Sequence, residues 1–316
     1  MTATITPEVA ARGSMTRQKA GPYRRIFSQG FHYPLLLALE NDDSAAAAIR
    51  ITAALSWRGA EPTVIRVAEF PPPDGEIRVG GTSDAEMHLI HRRDARALVS
   101  KFTGSTQSWP VESVSGNPAF SIVESVWKHH AKLIVMGIHQ QSTWEQACGE
   151  NTTTRVIGKG MIPVLGVRPS LIGVPRRIMV ATDFGKASIE CAHIAANLAE
   201  PDGTLIFVHV GLPYPIVEEG DAGPALVVRE GIEHAFARLD EEVRAGKSIS
   251  TESMSVSGDA VGGLIAAAER INPDLIAIAS RRQTLPRRVV MGSTSRAITC
   301  IGRWPVLVTP PRRSEL

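Results

Sequence analysis

The second half of the chain repeats the first at a constant spacing, and this repeat limits the fold more than any other feature. Three landmarks recur in the same order: a Ser-Gly turn segment, the end of a short apolar segment, and a proline that precedes Val-Leu. Self-similarity over a long period sets both the fold and the number of domains. The matched positions, each 142 residues apart, are Gly116 with Gly258, Gly137 with Ala279, and Pro163 with Pro305.

Within each half, short apolar segments alternate with segments of helical periodicity, such as the series from Ala187 to Leu198 and from Val228 to Val243. This alternation is typical of β-α-β units. We therefore predict an α/β fold of two tandem doubly wound domains, each a five-stranded mostly parallel sheet with helices on both faces. The predicted strands are 34–39, 63–68, 109–114, 133–137 and 163–167 in the first half, and 177–182, 204–210, 250–256, 275–279 and 305–309 in the second.

The repeat and the loop composition predict the domain boundaries. Residues 1–31 carry five Arg or Lys residues against Glu8 alone. We predict a disordered basic arm, and targeting to an organelle or contact with a polyanion stays open. The first domain is predicted at 32–168, a linker at 169–175 and the second domain at 176–311. The Pro-rich segments 70–81 and 211–224 are predicted loops.

The composition excludes several classes of protein. A chain with 43% hydrophobic and 21% charged residues is typical of globular proteins. No apolar run approaches the roughly 18 residues of a membrane span, so we expect no membrane insertion. The net charge of +2 does not favour a nucleic-acid partner. Three cysteines without a CxxC spacing indicate neither a disulfide framework nor a zinc ribbon, which favours a cytoplasmic location.

Polar residues of the second half follow predicted strands at the places where open parallel sheets bind ligands. Thr182 and Asp183 follow the first strand, and Gly292-Ser293-Thr294 follow the loop after the fourth. A glycine lets the backbone approach a phosphate, and the amides of a helix start attract an anion. These residues predict a nucleotide or other anion site. As alternatives, the Gly-Ser-Thr segment is also an ordinary helix N-cap, and Asp183 an ordinary turn residue.

Five segments of the second half together resemble a universal stress protein domain: 180–184, 208–210, 258–259, the loop that ends in Gly292-Ser293, and 305–308. The resemblance covers about 176–310, and a weaker copy covers about 32–168. It implies the adenine nucleotide alpha hydrolase-like fold and an ATP site, with Mg²⁺, in which Asp183 accepts from the adenine amino group. The predicted site residues are Ala181, Thr182, Asp183, Val210, Arg281, Arg282, Gly292, Ser293 and Thr294.

Two replacements in this motif argue against tight ATP binding. Family members that bind ATP carry Gly-x2-Gly-x9-Gly-Ser/Thr, whereas the first two glycines are here Ala279 and Arg282. If the loop needs a positive φ at either position, a side chain costs about 1–2 kcal/mol. The Arg282 side chain would also compete for the ribose position. Conversely, the arginines at 281, 282, 287 and 288 suit phosphate oxygens, although such a run is also typical of a solvated basic loop.

The first half has lost more of this motif. Its aligned loop keeps Gly137 but has Glu150-Asn151 in place of Gly-Ser, and Glu40 stands where Asp183 stands. Glu69 aligns with Val210. Negative charge at these positions opposes a phosphate. We therefore predict that any nucleotide binds in the second half alone.

No motif indicates an enzyme: GxSxG, HExxH, Walker A, SGG-type, HIGH and KMSKS patterns are absent from the sequence. His88 and His91 lie three positions apart on a predicted helix, and His129 and His130 are adjacent. Neither pair has a third ligand at metal spacing, so no metal site is predicted. We predict no catalytic residues, and slow ATP hydrolysis stays open.

The resemblance implies a stress-response regulatory or binding protein that acts through protein contacts and is tuned by a nucleotide or other anion in the second domain. Two alternatives stay open: an interaction scaffold with vestigial sites, and an ATP-binding switch with slow hydrolysis. Family dimers pair through their last strands. The fused repeats therefore predict an intramolecular pseudo-dimer joined by strands 163–167 and 305–309, which protects a sheet edge. Protein partners and a further homodimer are left open.

Overall fold

The computed structural model describes residues 32–40, 43–68, 84–104, 108–138, 151–211, 223–280, 283–285, 288–290 and 292–310. The first repeat contains β1 (Tyr33–Ala38), α1 (Ala45–Ser56), β2 (Ala60–Ala68), α2 (Asp84–Thr103), β3 (Val111–Ser115), α3 (Pro118–Lys128), β4 (Leu133–Gly137), α4 (Thr152–Gly158) and β5 (Val164–Val167). The second contains β6 (Arg177–Ala181), α5 (Lys186–Leu198), β7 (Thr204–Gly211), α6 (Gly223–Arg244), β8 (Ser250–Ser257), α7 (Ala260–Ile271), β9 (Leu275–Ala279), β10 (Gln283–Leu285), β11 (Arg288–Val290), α8 (Ser293–Ile301) and β12 (Val306–Thr309).

Ten strands form one continuous sheet in the order β3-β2-β1-β4-β5-β12-β9-β6-β7-β8. Within each repeat neighbouring strands are parallel. The strand order reverses between β1 and β4 in the first repeat and between β6 and β9 in the second. These reversals create the two crevices in which a doubly wound sheet binds ligands. The predicted α/β class and the ten predicted strands are confirmed, with ends shifted by at most three residues.

The two repeats join through β5 and β12, which pair antiparallel with Leu307 opposite Leu165. This is the pairing that the sequence predicted for the final strands. Arg168 adds a second link, because its side chain crosses to the other repeat and donates to the backbone oxygens of Thr299 and Trp304, each at 3.2 Å. Arg168 is 5% exposed, and burial lowers its pKa.

Apolar residues on the two faces of the sheet form two cores, each of which extends across both repeats. Alternating side chains of β1 show the division, since Leu35 and Leu37 contribute to one core and Leu36 and Ala38 to the other. Helices α1, α2, α5 and α6 cover the first core, and α3, α4, α7 and α8 cover the second. Strands covered on both faces need apolar residues throughout, which explains runs such as Leu-Ile-Val-Met in β4.

Three features differ from the sequence-based predictions or lie beyond them. The segment between β9 and α8, predicted as a loop, contains the antiparallel hairpin of β10 and β11. Val228, the first residue of the predicted helical series, is 49% exposed, whereas Phe236, Leu239 and Val243 of the same helix are buried. The predicted basic arm 1–31, the loop 70–81 and residues 212–222 of the second loop lie outside the described residues.

Candidate functional site

A cavity of about 440 Å³ lies at the crevice of the second repeat, where β6, β7 and β9 end and α8 begins. Parallel strands present their carboxyl ends at this edge, so residues that are distant in sequence meet there. Arg281 and Arg282, two of the nine predicted site residues, lie outside the described residues. The other seven all line the cavity: Ala181, Thr182, Asp183, Val210, Gly292, Ser293 and Thr294.

The turn after β6 holds the carboxylate of Asp183 in a fixed orientation. Asp183 Oδ1 accepts from the backbone N–H of Gly185 at 2.9 Å and from the Ser188 hydroxyl at 2.6 Å. Phe184 N–H donates to Thr182 Oγ1 at 3.0 Å, and Phe184 has a φ of 58°. A left-handed phenylalanine is unusual and is maintained only when its surroundings fix it. The carboxylate is therefore positioned before any ligand binds.

The other end of the cavity is the start of α8. Gly292 is the N-cap residue, so no side chain caps the helix. Its own N–H points to Ser280 Oγ at 3.4 Å, and Ser295 Oγ donates back to Gly292 O at 3.0 Å. The first N–H groups of a helix carry a partial positive charge and need acceptors. Ser293 and Thr294 line the cavity at this point, so an anionic group fits here.

Between these two polar ends the cavity has an apolar wall. Val208, Leu264 and Ile278 come from three different elements and line it together. A methyl group added at Gly263 would lie 2.7 Å from Val210 Cγ1, so α7 packs closely against the end of β7. A slot with apolar walls and polar ends is typical of sites that bind a planar ring linked to a charged group.

Several lining residues were not among the predicted site residues. His209 stacks against Phe184, with ring centroids 4.8 Å apart, and its Nδ1 lies 3.0 Å from Thr182 O. Since a carbonyl only accepts, Nδ1 carries the hydrogen and Nε2 is available as an acceptor in the neutral ring. Its position next to Val210, at the end of a strand, is the signal that would have identified His209. Ser188 gave no such signal, because it enters the site from the first turn of α5.

Ala279 stands where the ATP-binding motif has its first glycine, but its backbone does not have the positive φ that would strain an alanine. It is the last residue of β9 and lines the cavity. Positive φ among the described non-glycine residues occurs at His130, Phe184, Asp202 and Asn272, and not at Ala279. An alanine is therefore accommodated here at no conformational cost. Its methyl group narrows the cavity instead.

The corresponding region of the first repeat is arranged differently. Asn151 caps α4, and its side-chain oxygen accepts from Thr154 N–H at 2.8 Å. Thr153 Oγ1 donates to Gly137 O at 3.0 Å, which ties the helix to the end of β4. The helix start that would face a phosphate is thus occupied by a side chain of the protein. Glu40 is exposed at the end of β1, and Glu69 and Glu150 lie outside the described residues.

Comparisons with known proteins agree with this architecture. Residues 34–168 and residues 175–310 each match the model of the universal stress protein family. The fold is similar to that of a universal stress protein from Archaeoglobus fulgidus DSM 4304, with a TM-score of 0.60 and 19% identity, covering 89% of this chain and 97% of that one. It is also similar to a functionally unknown protein from Pseudomonas aeruginosa PAO1, with a TM-score of 0.61 and 14% identity, covering 89% and 93% of the two chains.

A comparison with curated proteins finds no match. Within the described ranges, no helix combines the length and the apolar character that crossing a membrane requires.

Proposed function

Since the chain belongs to the universal stress protein family, we propose that it is a stress-response regulator whose second repeat binds an adenine nucleotide, and whose first repeat does not. The observation that carries this proposal is the convergence of seven predicted residues on one cavity. The domain boundaries that we propose remain 32–168 and 176–311, with a linker at 169–175. In this assignment the intramolecular pairing of β5 and β12 takes the place of a dimer of single-domain chains.

The two polar ends of the cavity assign the two ends of the nucleotide. Asp183 is the acceptor for the adenine amino group, and its orientation is already set by Gly185 and Ser188. The phosphates lie against the uncapped start of α8, where Ser293 and Thr294 offer hydroxyl and amide donors. Arg281 and Arg282 are proposed to neutralise phosphate charge, because they follow the cavity-lining strand β9 in sequence. Mg²⁺ would be bound mainly through the phosphates.

A second candidate function is an interaction scaffold with vestigial sites. The capped helix start at Asn151 supports it, because one copy of the site has already been closed by a side chain of the protein. The scaffold and the nucleotide switch differ in one respect that can be measured. A scaffold folds and binds its partners without any nucleotide, whereas a switch needs the nucleotide to change its state.

Calorimetric titration of the full chain with ATP, ADP and AMP, with and without Mg²⁺, tests the proposal. We expect one binding event per chain. Ser293→Ala should weaken it roughly 10- to 100-fold, since a hydrogen bond to a charged group contributes about 1.5–3 kcal/mol. Thr152→Ala is the matched control, because Thr152 is the first residue of α4 in the other repeat. It should leave the affinity unchanged.

Native mass spectrometry of freshly purified protein and an assay of phosphate release complete the test. A retained nucleotide supports the proposal, and the same spectrum gives the oligomeric state. Slow, steady release of phosphate from ATP would support the ATP-binding switch. Absence of both binding heat and retained nucleotide would reject the nucleotide proposal in favour of the scaffold.

A further inference from the structure

A polar cluster lies between helix α2 and the strands β2 and β3 of the first repeat, far from the cavity of the second repeat in sequence. Arg66 comes from β2, Ser113 and Ser115 from β3, and His88 and His91 from α2. Helices that cover a sheet normally bury apolar side chains at such a contact. The cluster is specific to the first repeat, because the positions 142 residues beyond Arg66, His88 and His91 hold Val208, Glu230 and Glu233.

Hydrogen bonds fix one part of this cluster. His88 Nδ1 lies 2.8 Å from Ser113 Oγ, and His88 Nε2 lies 3.2 Å from Ser115 Oγ. Ser115 Oγ in turn donates to Asp84 Oδ1 at 3.2 Å. Both nitrogens of His88 are therefore engaged. The network holds the start of α2 against the carboxyl end of β3.

Two nitrogens of the cluster have no such partner. Arg66 Nη1 and His91 Nδ1 are buried, and neither has a hydrogen-bond partner in the described part of the chain. A guanidinium is a cation that only donates hydrogen bonds. A buried donor without an acceptor is destabilising, and more so when it is charged. Arg66 Nη1 is such a donor, and His91 Nδ1 on the facing helix donates in one tautomer of its ring, so the pair points to an acceptor that is supplied from outside.

The carboxylates that the structure describes near the cluster already have partners in the protein, and Asp94 also acts on His91 electrostatically. Asp84 accepts from Ser115 and lies 3.7 Å from His88 Nε2. Asp94 pairs with Arg93 at 3.4 Å. Within the ranges that the structure describes, no salt bridge joins Arg66 to an acidic residue.

We propose that a phosphate-type oxyanion binds between α2, β2 and β3, where it accepts hydrogen bonds from Arg66 and His91. A guanidinium provides a fork of donors that matches two oxygens of a tetrahedral oxyanion. Arg66 and His91 are partly exposed and Ser115 is exposed, so one side of the cluster opens to solvent. The anion is either free phosphate or the phosphoryl group of a monoester, since both present the same oxygens. This site is independent of the nucleotide cavity proposed above.

Thermal unfolding of the full chain in increasing phosphate tests the proposal, with sodium chloride at equal ionic strength as the reference. A ligand that binds only the folded state raises Tm with its concentration. We expect a rise in phosphate beyond that in chloride. Arg66→Met and His91→Phe should each abolish most of it and weaken phosphate binding at least 10-fold in equilibrium dialysis. Arg96→Met, an exposed arginine of the same helix, is the matched control and should retain the rise.

Ser293→Ala separates this site from the start of α8. Phosphate binding that survives Ser293→Ala and is lost in Arg66→Met supports the proposal. Binding that is lost in Ser293→Ala and survives in Arg66→Met would overturn it, as would a Tm that phosphate and chloride raise equally. Without phosphate, Arg66→Met should be at least as stable as the parent, because an unpartnered charge has been removed. Titration with glycerol phosphate in parallel distinguishes the two ligands. Tighter binding than that of inorganic phosphate indicates that the site binds a phosphate monoester, and weaker binding indicates that it binds the free ion.

Discussion

Arg58 and Glu200 occupy equivalent positions of the two repeats, 142 residues apart, and bind each other across the repeat boundary. Arg58 Nη2 lies 3.3 Å from Glu200 Oε2, and Arg58 Nη1 donates to Ala199 O at 2.9 Å and to Leu198 O at 3.4 Å. Equivalent residues meet only near an axis that relates the two copies. The same relationship holds for Leu165 and Leu307 in the paired strands. The pseudo-dimer is therefore joined by the sheet and by a contact at the end of α5.

Arg58→Met should lower the free energy of unfolding by about 1–2 kcal/mol, because it removes donors from backbone oxygens at a helix end. Glu200→Gln should have a smaller effect, below about 1 kcal/mol, since the pair is partly exposed and solvent weakens it. Urea unfolding measures both. Arg93→Met, at an exposed pair, is the control and should change little. Equal losses for Arg58→Met and Glu200→Gln would mean that the ion pair, and not the carbonyl contact, carries the stability.

Arg168→Met should be more destabilising than Arg58→Met. Arg168 is 5% exposed, and its loss leaves the backbone oxygens of Thr299 and Trp304 without these donors. We expect a loss of about 2–4 kcal/mol in urea unfolding. Arg168→Lys keeps the charge but not the fork of donors, so it should recover only part of the loss. Full recovery by lysine would contradict the geometric explanation.

The sequence predicted those features that depend on a pattern within one element, and it missed a hairpin too short for such a pattern and a contact that depends on packing between elements. Most strands of the main sheet follow from apolar segments between turn signals, whereas β8 is largely polar. Strand ends predicted that Asp183 and Gly292 lie together, and both line the cavity. The hairpin of β10 and β11 was missed because its strands are three residues long, too short for a periodic signal. The proximity of Arg66 to His91 of α2 was missed for another reason. It depends on how a helix lies over a sheet, which no spacing within one element specifies.

Acid should weaken the contact of α2 with the sheet. Burial lowers the pKa of His91 below 6.5, the charges of Arg66 and His88 lower it further, and Asp94 opposes them. Such a histidine takes up its proton more readily in the unfolded chain. Above pH 6.5 the protonation of His91 therefore does not change the free energy of unfolding, and below that value the folded state loses stability as the pH falls. We expect His91→Gln to flatten the decline of unfolding free energy between about pH 6.5 and 5, measured by urea unfolding at a series of pH values.

Glu112 provides the contrasting case for the same experiment. Burial alone would raise its pKa, but hydrogen bonds from Lys128 and His129 and their charges outweigh this and lower the pKa below 4.5. A carboxyl group of this kind stabilises the fold above pH 4.5 and loses its contribution as the pH falls through the lowered value. Glu112→Gln should thus change the slope of unfolding free energy against pH only weakly between about pH 6.5 and 5. If Glu112→Gln and His91→Gln flattened that slope equally, the assignment to His91 would be wrong.

The two helix starts, one capped by Asn151 and the other uncapped at Gly292, can be exchanged by mutation. Gly292 has a φ of −56° and a ψ of 138°, which any residue can adopt. Gly292→Asn should place a capping side chain where Asn151 has one in the first repeat, and stabilise the empty protein by a few tenths of a kcal/mol. The same side chain would occupy the donors that the phosphates need. We therefore expect Tm to rise and the affinity for nucleotide to fall at least 10-fold in calorimetry. Gly292→Ala adds a methyl group without a cap, so Tm should not rise. Undiminished affinity in Gly292→Asn would show that the phosphates do not lie at the start of α8.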